Sequence, residues 1–494
     1  MLFTGLETWD PKPFRRVLER AGYTQAGLVG AGVDGVAYQG RSKARFLAML
    51  PRGRAMSLLT RLFLLDEAVP AEEIMPLLGL ETRTLMDLGL LYGESGGLRS
   101  AVQLTPVGDG WFAGDFLRRH AEAPEDYVMG LSPVTRLLAS VTPMGMGGGG
   151  KALELGCGAG WLSLELRRKG RWTVTSTDLC GRALELGRFN EKLAGLSGIE
   201  WLRGSWFEPL GDRKFDLITC NPPYVQSPGG GLTYRETAAG EENPCAVLLR
   251  GAVEHLNPGG LCCVMLNWSH ATLETWPELP LSWAPAEGMR RWLFQGQCQS
   301  PAEYAWRWIE HDPAFAEGGA AEELARWLAH YQKNGIRALS SGFMIVQRCG
   351  EIDGGSWTRT DSRAANELTT LAGAEILRMF ANETWLRGGP GEAELLDRVF
   401  EVPDGIEAVM DTVLGGNGWG RKSIRVSSPG RLTYDGEVDE NLLRLLELLR
   451  SGQPARVMVD ELRARPEFAG VSGLESQIAG LVRELVRFAL VALD

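Results

Sequence analysis

The middle of this 494-residue chain predicts an α/β fold built on a mixed, mainly parallel sheet. Three observations carry that reading. Apolar runs of strand length alternate with amphipathic segments of helix length between about residues 150 and 347. A glycine-rich segment, Leu153-Glu154-Leu155-Gly156-Cys157-Gly158-Ala159-Gly160, follows the first of those runs. A stiff Asn221-Pro222-Pro223-Tyr224 segment follows a later run, Phe215–Cys220.

The strand-length runs are Ala152–Leu155, Thr173–Thr177, Phe215–Cys220, Gly260–Leu266 and Phe343–Val346, with helical patterns such as Gly181–Ala194 between them. Strand, helix, strand in repetition gives parallel strands with helices on both faces. The first 125 residues read as helices at Arg15–Gly22, Ser57–Leu65, Val69–Leu78 and Leu85–Leu91. Gly96-Gly97 and the alternating Ala101–Thr105 follow them. Helices before a glycine-centred hairpin outline a winged helix. Its third helical segment carries few Arg or Lys, which favours a packing module over a nucleic-acid reader. Met144–Gly150 reads as a flexible junction. In the last part, Glu440–Arg450, Val457–Arg463 and Gly473–Arg487 form a second small helical or winged-helix-like unit. The predicted domains are therefore 1–125, 126–350 and 351–494, the outer two mainly helical.

Composition excludes several classes. No apolar run approaches the roughly 18 residues that span a bilayer. The start, Met1–Glu7, lacks the basic and apolar regions of a signal peptide. Eight scattered cysteines, with no CxxC, read as reduced thiols of a cytoplasmic protein, and no metal site is expected. The net charge of −11 leaves no general cationic surface for nucleic acid. Residues 351–494 carry 16 basic against 24 acidic side chains.

Gly156, Gly158 and Gly160 lie between a strand and a helix, where glycine permits a tight turn and close approach of a ligand to the backbone. Glu154 is an unusual residue for a buried strand. It suits a position near a cationic ligand group or the loop amides. Asp178 ends the next strand, about 20 residues past the loop, the place of a carboxylate that binds ribose hydroxyls. It could instead cap the helix Gly181–Ala194.

Asn221-Pro222-Pro223-Tyr224 follows a strand and so sits at the carboxyl edge of the sheet, where ligands bind in such folds. The prolines stiffen the turn. The Asn221 side-chain oxygen and the Pro222 carbonyl can accept both hydrogens of a planar –NH₂, and Tyr224 can stack on its flat face. Two aligned acceptors stabilise the positive charge that grows on such a nitrogen when it is alkylated. They also aim it at the incoming carbon.

These segments resemble class I S-adenosylmethionine-dependent methyltransferases, in the NPPY-bearing, HemK-like branch of protein-glutamine and rRNA amine N-methyltransferases. The resemblance covers roughly residues 130–270. It implies a Rossmann-like methyltransferase domain and S-adenosyl-L-methionine as cofactor. Glu154, Gly156, Gly158, Gly160, Asp178 and Asn221 would contact the cofactor. Asn221, Pro222 and Tyr224 would form the catalytic loop. The segment that contacts adenine in the family is Arg203–Pro209 here. Ser205 stands where many members have Asp, so the contact falls to Ser205 or the Trp206 backbone. Leu131–Thr135 is placed to cover the cofactor. The resemblance implies N-methylation of a planar nitrogen, with a protein, peptide or small-molecule acceptor favoured and no membrane partner. A nucleobase amine is the alternative, and a DNA-binding regulator that keeps the cofactor fold is a further one.

The remaining conspicuous residues have plainer readings. Tyr304-Ala305-Trp306-Arg307-Trp308 reads as helix packing, and His255 and His270 as ordinary surface or core residues. Gly229–Gly231 and Tyr234-Arg235-Glu236 read as a mobile lid over the site.

Overall fold

The computed structural model describes residues 3–33, 43–51, 53–116, 125–145, 149–229, 243–310, 312, 315, 318–350, 355–362, 368–415, 418–466, 468 and 470–493. Eight strands form the main sheet: β1 (Gly150–Leu155), β2 (Trp172–Asp178), β3 (Ile199–Arg203), β4 (Phe215–Cys220), β5 (Leu256–His270), β6 (Met289–Gln299), β7 (Ala338–Arg348) and β8 (Trp357–Ser362). Their order across the sheet is β3-β2-β1-β4-β5-β7-β6-β8. The first five are parallel. β7 runs antiparallel between β5 and β6, and β8 pairs parallel to β6. The chain builds outward from β1 to β3, then returns to lay β4 on the other side of β1. That reversal opens a crevice at the carboxyl ends of β1 and β4.

Alternation within the strands explains why their sequences are almost wholly apolar. Leu261, Cys263 and Met265 of β5 enter one core, whereas Cys262, Val264 and Leu266 enter the core on the opposite face. Phe343 and Ile345 of β7 divide from Met344 and Val346 in the same way. A sheet covered on both faces needs apolar residues at successive positions.

The N-terminal part has the winged-helix order. Helix Ala55–Phe63, strand Val69–Pro70, helices Ala71–Leu78 and Glu81–Asp87, and strands Leu91–Glu94 and Gly97–Ser100 follow in turn, with Gly97–Ser100 central in the small sheet. Ser95 (φ 46°) and Gly96 (φ 83°) turn the wing. This part does not have a core of its own. Phe14, Leu18 and Phe63 share one apolar core with Leu162, Leu186 and Phe189 of the sheet domain. Phe3 and Trp9 stack on Phe189, with ring centroids 4.4 and 5.3 Å apart. The predicted boundary near residue 125 is thus a change of topology without a separation of cores. The predicted flexible junction is anchored at its start: Met144 is buried and its carbonyl accepts the Trp172 indole N–H at 2.7 Å.

Beyond residue 350 helices predominate, and strands that the sequence pattern does not predict accompany them. Trp357–Ser362 is the edge strand of the main sheet, so that sheet extends past the predicted boundary. Strands Glu407–Gly415, Gly418–Ser427 and Asp435–Val438 make a further sheet. The predicted helices Glu440–Arg450, Val457–Arg463 and Gly473–Arg487 are present, the last two as Arg456–Arg463 and Leu474–Arg487, and share a separate core. Buried Glu375 ties this unit together. Its carboxylate accepts the Ser428 hydroxyl (3.0 Å) and the N–H groups of Leu432 and Thr433 (both 3.1 Å), as well as the Gly430 N–H.

Candidate active site

The glycine loop leaves β1 at the crevice. Gly156 (φ 59°) and Gly158 (φ 51°) adopt backbone that side-chain-bearing residues rarely hold, and the space where a Cβ would stand is open at both. The loop therefore presents bare backbone. Gly160 serves a different end: a Cβ there would meet the Trp201 ring at 2.4 Å. It lets the helix Trp161–Lys169 lie close against its neighbours rather than facing the open side of the loop.

Glu154 lies one strand residue before the turn and is almost fully buried. Its Oε2 accepts the Ser163 backbone N–H at 2.7 Å and the Ser163 hydroxyl. That hydroxyl is also 2.5 Å from Ser176 Oγ on β2. The carboxylate thus secures the first turn of the helix that follows the loop. Burial pushes its pKa up to about 7, the Ser163 bonds oppose the rise, and the charge of Asp178 adds to it.

Asp178 ends β2. Its Oδ2 accepts the Gly158 N–H and its Oδ1 the Cys180 N–H, both at 2.8 Å. Burial raises this carboxyl too, against the pull of those amides. The helix Gly181–Leu193 has Cys180 at its N-cap, so Asp178 is not the capping residue. Neither Glu154 nor Asp178 forms an ion pair among the described residues. The segment after β3 passes beside this end of β2. Trp206 holds a left-handed backbone (φ 47°), and its carbonyl lies 3.4 Å from Thr177 Oγ1. Ser205 is exposed, and its N–H points to Glu208 Oε2 at 3.4 Å.

Asn221 emerges from β4 across the crevice. Its Nδ2 donates to Thr135 Oγ1 at 3.4 Å. Thr135 sits in the first turn of helix Pro133–Val141, which Ser132 caps by accepting the Thr135 N–H at 3.1 Å. The Asn221 Oδ1 is buried and has no hydrogen-bond partner among the described residues. A lone acceptor of this kind is costly unless a ligand completes it. Tyr224 packs its ring among three apolar clusters. Burial raises its phenol, so it stays protonated at neutral pH. The predicted lid, Tyr234-Arg235-Glu236 with Gly230 and Gly231, lies outside the described residues.

Sequence reading missed the part that Asn190 plays. Its Nδ2 donates to the Ala113 and Ala159 carbonyls (2.9 and 3.0 Å), and its Oδ1 accepts the Ala113 N–H at 2.7 Å. It joins the strand Gly110–Gly114 of the N-terminal part to the glycine loop. Arg182 and Asp115 make a buried ion pair at the same junction. A polar residue on an otherwise apolar helix face was the only signal.

S-adenosylmethionine offers a ribose diol, an adenine amine, a carboxylate and a sulfonium. The bare glycine backbone, Asp178 at the strand end and the orphaned Asn221 oxygen fit such a molecule. The fold is that of a class I methyltransferase domain, and the site resembles that of its HemK-like branch, which uses S-adenosylmethionine.

Comparison with known proteins agrees. Residues 130–275 match the family "Methyltransferase small domain". Residues 377–492 match a "Domain of unknown function (DUF7782)". The chain is 37% identical over 150 residues to the ribosomal protein uL3 glutamine methyltransferase of Bradyrhizobium diazoefficiens, covering 28% of this chain and 47% of that one. It is 30% identical over 131 residues to the release factor glutamine methyltransferase of Xylella fastidiosa, covering 24% and 47%. It is 33% identical over 132 residues to ribosomal RNA small subunit methyltransferase C of Escherichia coli, covering 26% and 34%. The chain spans about half or less of the length of these three relatives.

Proposed function

We propose that the chain transfers a methyl group from S-adenosylmethionine to a planar amide or amine nitrogen held by Asn221 and Pro222, with a protein or peptide nitrogen as the favoured acceptor. The observation that carries the reading is the buried Asn221 Oδ1, unpartnered among the described residues, at the carboxyl end of β4 beside the strand-order reversal. When bound, the cofactor supplies an electrophilic methyl group on a sulfonium. The residues of the chain then act by placement. Asn221 Oδ1 and the Pro222 carbonyl accept the two nitrogen-bound hydrogens and orient the nitrogen lone pair toward that carbon. Both acceptors gain strength as positive charge develops on nitrogen. Tyr224 backs the flat face. A proton leaves the nitrogen once the new N–C bond has formed, so no strong base is required.

Asp178 is proposed to bind the ribose hydroxyls with the oxygen lone pairs not used by the loop amides. Ser205 and the Trp206 backbone are proposed to meet the adenine. When ionised, buried Glu154 and Asp178 give this end of the crevice a negative potential, which suits a cationic ligand. The uL3 and release-factor relatives are named for glutamine methylation, which favours an amide acceptor. The net charge of −11 argues against a nucleobase in structured RNA. All eight cysteines are free, consistent with a cytoplasmic site of action.

The test is incubation of the purified protein with methyl-labelled cofactor and fractionated cell extract. Label in an alkali-stable, protease-sensitive fraction is the expected result. Label in RNA would move the acceptor to a nucleobase amine. No label in protein, RNA or small molecules would overturn the reading.

A further inference from the structure

We propose that Tyr304 and Tyr331, on two helices inserted between β6 and β7, are positioning residues that fix the far end of the acceptor loop. The inference rests on the methyl-transfer reading of that loop and adds residues that neither the glycine motif nor the NPPY motif contains.

Pro222 and Pro223 have no backbone N–H. The loop therefore cannot anchor itself through donors at those positions. Its near end is held at Asn221 by Thr135. The far end is held by the helices Pro301–Ile309 and Ala320–Lys333. The Tyr304 hydroxyl accepts the Gln226 N–H at 3.1 Å and donates to Asn267 Oδ1 on β5, also at 3.1 Å. Its one proton is thereby committed, which fixes the direction of both bonds. The Tyr331 hydroxyl donates to the Gln226 carbonyl at 2.7 Å. Arg326 Nη1, on the same helix as Tyr331, donates to the Gly229 carbonyl at 3.0 Å. Both polar groups of one peptide residue, and a carbonyl three residues on, are thus taken up by the inserted pair.

The pair is rigid enough for this work. Tyr304 and Tyr331 are 3% and 1% exposed and meet edge to face, with centroids 6.5 Å apart. Trp327 packs on both rings. Tyr224 and Val225 of the loop belong to the same apolar cluster. The aromatic cluster in this insertion is therefore more than packing. It transmits the position of β5, through Asn267 and Tyr304, to the segment that begins with Asn221.

Substitution of either tyrosine by Phe keeps the ring and removes only the hydroxyl, so the packing is retained. In hydrogen exchange, with S-adenosylhomocysteine bound, Tyr304→Phe and Tyr331→Phe should speed exchange in peptides covering residues 221–229 by about tenfold or more. Peptides from the glycine loop should not change. Affinity for S-adenosylhomocysteine should stay within about twofold. With the extract fraction that accepts label, kcat should fall by about tenfold or more, the scale of an ångström-level misplacement. KM for the cofactor should hold. Trp306→Ala, at an exposed position on the same helix, should alter none of these. Unchanged exchange at 221–229 would overturn the proposal. So would faster exchange spread evenly over the sheet domain with a lower Tm, the mark of a merely structural contact. The exchange measurement needs no acceptor. If the wild-type protein labelled nothing, the functional reading would fall, while exchange would still decide on the clamp.

Discussion

Asp178 reaches from the end of β2 to the glycine loop and accepts the Gly158 N–H at 2.8 Å. One side chain thus shapes the loop and, in the proposed reading, would also meet the ribose. Asp178→Ala should weaken binding of S-adenosylhomocysteine by about 1–3 kcal/mol, the scale for losing hydrogen bonds to a charged group. Calorimetry checks this. Asp178→Asn keeps one acceptor and should lose less.

Asn221→Ala removes one acceptor and leaves the glycine loop and Asp178 intact. Methyl transfer to the labelled acceptor should fall roughly 10²–10³-fold, the usual effect of deleting one preorganised transition-state contact. Affinity for the cofactor should change by less than about threefold, because a contact made to the acceptor nitrogen in the transition state lowers kcat without weakening ground-state binding of the cofactor. Single-turnover kinetics distinguishes the two.

Glu154 makes stability depend on pH in an unusual direction for a carboxylate. Its folded value, about 7, lies above its ordinary 4.5. The proton therefore favours the folded chain. The stability that the protonated group confers is complete below the unfolded value and is lost as pH rises through about 7. Glu154→Gln cannot ionise. It should match the wild type near pH 4.5 and become the more stable of the two above pH 7, by an amount on the order of 3 kcal/mol. Denaturant titrations of both proteins at several pH values read this difference.

Asn190→Ala should strip three hydrogen bonds from the junction of the N-terminal strand and the glycine loop. It would leave the Ala113 and Ala159 backbone groups buried and unpaired. Each such group costs about 1–3 kcal/mol. A large drop in denaturation midpoint is expected, together with weaker cofactor binding, since Ala159 belongs to the loop. Asn190→Leu, which restores apolar volume but no hydrogen bonds, should not rescue either property.

The sequence made the centre of the molecule legible because each of its devices is local. Strand patterns, the glycine turn and the proline-stiffened loop declare themselves within a few residues, and the sheet has the predicted strands at those places. Other features depend on partners far along the chain. Gln226 meets Tyr304 and Tyr331 across 78 and 105 residues, a separation that no spacing rule encodes. β8 was missed because Trp357–Ser362 is a half-buried edge strand with Thr, Arg and Asp in alternation. The ribbon Glu407–Gly415 is exposed at every position, so it lacks the alternation of buried and solvated residues on which a strand prediction depends. The shared core of the first two parts was hidden for another reason: apolar residues record that they are buried but not against what.

The placement of β7 has a consequence for how the chain comes into being. β7 lies between β5 and β6, although it is made after both. Among the described residues β6 pairs only with β7 and β8, so a nascent chain that ends at Gln299 holds a strand to which neither partner has yet been added. β5 meanwhile offers an open edge on that side. The open side of β5 closes only when Ala338–Arg348 slots between the two strands, and the helices bearing Tyr304 and Tyr331 lie in the stretch of chain that joins β6 to β7. Exposed edges of this kind invite mispairing until they are filled. A nascent chain that ends before residue 338 therefore carries the Asn221 segment and both tyrosines, but lacks the strand that closes the sheet around them.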